Sequence, residues 1–222
     1  MLTKKPKARS NYFVLFALLL CMAGAEQTLA RPPLAVLNFA NNSFIGGAQY
    51  EALRGGLAAM VISDLGQRAQ GIQVVERTQM KSLLQQIAMT QAMTTDESKL
   101  QAGQLLGAEF LAFGSFMVLN DQIRIDLRVV QVATGQLMSA TSVQGSSQDF
   151  FSLVPMLSNE IGRSLNVSLG YSAQYQLPLE ASVLLAQYID AMDFGDVQSM
   201  NNLASACVRV APECQGVIAG LR

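Results

Sequence analysis

Histidine is missing from all 222 residues. Ser-His-Asp and Cys-His catalysis and every His-ligated metal site are thereby excluded. Charge is scarce as well, at 14% Asp, Glu, Lys and Arg. Lys4, Lys5, Lys7 and Arg9 crowd the N-terminus, leaving 11 Lys and Arg against 15 Asp and Glu from Arg31 onward. A remainder near −4 with no basic stripe cannot neutralise phosphates, so no nucleic-acid partner is expected. A phosphate-cradling loop is missing too. Gly46-Gly47 and Gly55-Gly56 form neither GxGxxG nor a P-loop, and no Lys is poised beside them. No catalytic, cofactor-binding or metal-binding residue is expected. Asp190 and Asp193 share a helical face, but beside the Gly195 turn they read as an exposed helix end rather than an acid/base pair.

The chain does have an export-like start. The basic residues 4–9 precede the uncharged stretch 12–22, half the roughly 20 apolar residues needed to span a bilayer. That is the pattern of a cleavable signal peptide, and Ala25 and Ala30 both satisfy the small-residue rule for cleavage. Cys21 stands where a lipid-modified cysteine would, but Leu20 ahead of it is not the small residue such processing wants. The expected location is the periplasm, with at most peripheral outer-membrane association. Removal of Cys21 leaves Cys207 and Cys214, an even pair in an oxidising compartment. Seven residues of unbroken helix span about 10.5 Å, too far to bridge. Pro212 between them breaks the helix, so a disulfide and two buried thiols both remain open.

Half of the residues are hydrophobic, enough to build a packed core. Residues 34–39 and 72–75 read as short buried strands, and 110–117, apolar on both faces, as a central one. Residues 123–130 alternate apolar and charged, and Thr134-Gly135 turns them back into 137–143, forming a hairpin. Helical spacing marks Leu53, Leu57, Met60, Val61 and Leu65, laid on the sheet with Gly55-Gly56 permitting close approach to the strands. A second helix carries Met80, Leu83, Leu84 and Ile87, a third opens at the Thr94-Thr95-Asp96-Glu97 cap, and a fourth covers 149–165. The expected fold is α/β (α+β): a mixed sheet of about five strands with helices packed on it, plus a C-terminal helical hairpin. The expected division is a signal peptide over 1–30, an α/β domain over 31–169, a linker over 170–179 and the hairpin over 180–222.

Taken in order, Ala35-Val-Leu-Asn-Phe39, the helix from Gly56 to Leu65, Val74-Val-Glu-Arg-Thr78, the stretch from Leu106 to Ser115 and Leu127 to Gln136 resemble the CsgG-type family. This family includes the curli assembly and transport component of the outer membrane, and the likeness spans roughly 34–165. It implies a non-enzymatic periplasmic domain that oligomerises or docks on envelope proteins of an assembly or secretion system. Similar domains occur in flagellar outer-membrane accessory proteins and in lipoproteins that activate penicillin-binding proteins. The secretion channel adds two long bilayer-crossing hairpins, for which 116–122 and 144–149 leave no room here. The alternative, a subunit of such a channel for curli-like fibres, is therefore second choice. The C-terminal hairpin resembles a degenerate tetratricopeptide unit, with Tyr188 and Met200 where that repeat wants small residues. It packs on the domain or presents a groove to a peptide.

Overall fold

The computed structural model describes residues 31–80, 82, 95–171 and 176–221. Its main sheet contains β1 (Pro33–Val36), β2 (Ala40–Asn41), β4 (Gln73–Val74), β5 (Phe110–Leu119), β6 (Gln122–Gln131) and β7 (Leu137–Ser146). Strand order is β4-β1-β5-β6-β7, parallel from β4 to β5 and antiparallel from β5 to β7, with β2 also parallel to β5. The mixed sheet expected from the sequence is thus present. The apolar strand β5 is central, as its two buried faces require.

Three antiparallel strands of ten residues follow from local chemistry. Asn120 takes a left-handed φ of 54° in the two-residue turn between β5 and β6, and Gly135 takes 67° between β6 and β7. Alternation along β6 sends Ile123, Ile125, Leu127 and Val129 into the core and leaves Arg124, Asp126 and Arg128 on the opposite face.

Helices α1 (Leu53–Arg68) and α3 (Leu153–Ser164) form one layer on the apolar side of the sheet. Helix α2 (Asp96–Leu105) lies against β5, opened by the Thr95 hydroxyl accepting from the Ser98 N–H at 3.2 Å. Residues 77–80 begin another helix, whose expected positions Leu83, Leu84 and Ile87 lie outside the described residues. Helix α4 (Leu179–Phe194) forms a further layer on α1, and α5 (Val197–Val210) returns along it. Gly195, at φ 69°, makes the turn between them.

Here the structure departs from the sequence reading. Gly56 permits close approach not to the strands but to α4: a Cβ added there would lie 2.2 Å from the Ala186 Cβ and 2.8 Å from its Cα. Periodicity shows that one helix face is apolar without saying which neighbour covers it. The hairpin also gains a third helix, α6 (Cys214–Gly220). Ser168–Leu169 form a short strand, β8, antiparallel to β3 (Ala69–Gln70), at two places to which the sequence reading assigned no element. Arg68 ties that corner through Gly170 O at 2.9 Å, Asn159 Oδ1 at 2.8 Å and the Asp64 carboxylate.

One buried cluster runs from Leu34 and Leu57 through Ile125 and Leu157 to Leu185, Tyr188 and Cys214. The helical hairpin therefore packs on the α/β layers and shares their core. Among the described residues, no helix is long and apolar enough to cross a membrane.

Candidate functional site

The polar face of the antiparallel sheet gathers charged and hydroxyl side chains on one surface. Register places Phe113, Ser115 and Met117 of β5 opposite Arg128, Asp126 and Arg124 of β6, and these opposite Ala140, Ser142 and Gln144 of β7. A shallow depression of about 520 Å³ lies over these side chains other than Met117 and Gln144, rimmed by Lys99 of α2. Its charges come in opposed sets. Asp96 receives Lys99 Nζ at 3.0 Å and Arg128 Nη1 at 3.4 Å, and Asp126 receives Arg124 at 2.8 Å. The hydrogen bond from Lys99, with the charges of Lys99 and Arg128, holds the Asp96 carboxyl below its ordinary range.

Lys99 Nζ also sits 4.6 Å from the centre of the Phe113 ring, so its cation faces an aromatic as well as a carboxylate. Three cations against two carboxylates, with the hydroxyls of Ser115 and Ser142 on the same face, make a hydrogen-bonding platform. It can hold a polar surface. Among the described residues, no three His, Cys, Asp or Glu side chains gather in a way that could hold a metal.

Cys207 and Cys214 are joined in a disulfide, with Cα atoms 5.8 Å apart. The chain reverses at Ala211 and Pro212, which shortens the helical separation and stitches α5 to α6. Cys21, Ala25 and Ala30 lie outside the described residues.

Asp190 and Asp193 are not a bare helix end. Arg77 reaches across from the segment after β4 and donates to Asp193 Oδ2 at 2.7 Å, Asp190 Oδ1 at 3.1 Å and Gly55 O at 2.8 Å. Sequence reasoning missed this clamp because its members are more than 100 positions apart, apart from Gly55. The acidic i, i+3 spacing was the only local hint. Two further features were also invisible in the sequence: Phe44 and Ile45 stand 89% and 72% exposed in the loop after β2.

No curated protein matches the chain in sequence. Among solved structures, similar folds include the C-terminal domain of LpoB from Salmonella enterica, at 18% identity and TM-score 0.36, covering 59% of this chain and 93% of that one. Lipoprotein GNA1162 from Neisseria meningitidis matches at 17% identity and TM-score 0.43, over 60% of this chain and 98% of that one. The PelC dodecamer from Paraburkholderia phytofirmans matches at 12% identity and TM-score 0.35, over 61% and 90%. Residues 19–120 match the model of the family described as the curli production assembly/transport component CsgG, so the resemblance is upheld over that stretch, which is CsgG-like, while the motif at 127–136 lies beyond it.

Proposed function

We propose that this chain is a non-catalytic accessory protein of the bacterial envelope, exported to the periplasm, where it serves the assembly or export of an envelope or extracellular structure. The carrying observation is the CsgG-type match over residues 19–120. The polar sheet face supports a docking role, since paired charges and hydroxyls on a rigid sheet suit a protein partner better than turnover of a substrate. An accessory role is favoured over a channel subunit by the turn at Asn120 and Asp121. It joins two core strands within two residues, where a bilayer-crossing hairpin needs ~20 or more.

The test is to express the full chain in a Gram-negative host, release the periplasm by osmotic shock, and read the N-terminus by mass spectrometry. The expected product begins after Ala25 or Ala30 and appears in the shock fluid or peripherally on outer membranes. Retention in the cytoplasm with residues 1–30 intact would overturn the export reading, and conductance in planar bilayers would overturn the accessory one.

A further inference from the structure

Residues 132–148 contain no charged side chain and no proline. They include β7, the outermost strand of the sheet, which pairs along one side with β6. Among the described residues, no strand pairs with its other side. Natural sheets blunt such edges by shortness, lysine, proline or an inward charge. The opposite edge obeys the rule, since β4 is only two residues long. Strand β7 has ten residues, and it is protected by a bulge at the start, where Leu137 faces Val130 but Ser139 faces Val129. From Ser139 onward the register is regular, and Ala140, Ser142 and Gln144 are exposed.

We propose that β7 pairs antiparallel with β7 of a second copy, about a two-fold axis passing through Ser142. An axis normal to the sheet keeps each side chain on its own face, so odd positions meet odd and even meet even. With Ser142 opposite its own copy, Thr141 meets the partner's Val143, Val143 meets the partner's Thr141, and Ala140 meets the partner's Gln144. The seven residues from Ser139 to Gly145 all pair, and the bulge stays outside. The two Thr–Val pairs fall on the face that α3 covers, where β-branched side chains pack well.

Electrostatics favour this occupant. The nearest charges, Arg124, Asp126 and Arg128, lie one strand in, level with Gln144, Ser142 and Ala140. Like charges of the two copies then stand three strand spacings apart, about 14 Å, beyond the screening length of ~8 Å at physiological salt. A charged foreign segment finds no complementary group along β7 to select it. Pairing two copies joins the strands without repulsion and continues both the helix layer and the polar face.

Sedimentation of the full chain across micromolar concentrations, combined with oxidative crosslinking, tests the seam. Ser142→Cys should give a covalent dimer well above the wild-type background from its native cysteines. Gln144→Cys should not, because its Cα would lie about 13 Å from its copy, four residues along the strand. Ser142→Lys places like charges directly opposite and should weaken dimerisation about tenfold or more, with circular dichroism confirming an unchanged fold. A wild-type monomer throughout the range, equal crosslinking of Gln144→Cys, or undiminished dimerisation of Ser142→Lys would each overturn the proposal. A monomer that instead captures extended peptides along β7 would assign the edge to a foreign partner.

Discussion

At the residue scale, two glycines of one helix have opposite expected fates. Gly56 faces Ala186 so closely that Gly56→Ala must push α1 and α4 apart, at a cost of about 1–3 kcal/mol. Gly66 has nothing within 4 Å of an added Cβ, so Gly66→Ala should stabilise by roughly 0.5–1 kcal/mol through helix propensity alone. Urea unfolding of the two variants checks both signs. Arg77→Met removes the donor shared by Asp190, Asp193 and Gly55 O, and the same assay should show a loss of about 1–3 kcal/mol, since the pairs are only partly buried. Asp96 behaves differently because the hydrogen bond from Lys99, with the charges of Lys99 and Arg128, holds its carboxyl below the ordinary aspartate value. A depressed folded pKa contributes stability that is present above the unfolded value and lost as pH falls through the folded one. The Tm gap between wild type and Asp96→Asn should therefore be open near neutral pH and close on acidification below 3.8.

At the element scale, the ends of helices decide more than their middles. Thr95→Ala removes the hydroxyl that accepts from Ser98 N–H and should cost about 1 kcal/mol, read as a lower urea midpoint at unchanged slope. The Cys207–Cys214 bridge closes a loop of seven residues between α5 and α6. Its removal as Cys207→Ala with Cys214→Ala should cost roughly 2 kcal/mol in the chain-entropy account. Hydrogen exchange should show the loosening first in α6, the short helix at the chain's end. The β6–β7 hairpin was plain in the sequence because it carries its own period and its own turn residue, Gly135. The pairs β2–β5 and β3–β8 were not, because two-residue strands have no period to detect.

At the scale of the whole molecule, the helical hairpin and the sheet share one buried cluster, with Tyr188 and Leu185 in the same core as Leu57 and Leu65. Calorimetry should therefore show a single unfolding transition with equal calorimetric and van't Hoff enthalpies. A chain ending at Gly170 should fail to fold cooperatively, because it bares the α1 face that Ala186 covers. The family match ends at residue 120, so it covers α1 and the parallel part of the sheet but neither β6 and β7 nor the hairpin. The polar platform and the open edge thus belong largely to the part beyond that match.

The sequence by itself determined the three long strands, the helices on them, the absence of histidine chemistry and the export-like start, because each is written in neighbouring residues. The ordered motifs were enough to name the CsgG-type resemblance, since motif order survives where single positions drift. Only tertiary structure decided that Gly56 serves Ala186 rather than a strand, that Arg77 holds Asp190 and Asp193, and that Lys99 of α2 sits over Phe113 of β5. Those contacts join positions far apart in the chain, and periodicity identifies a buried face without identifying what buries it.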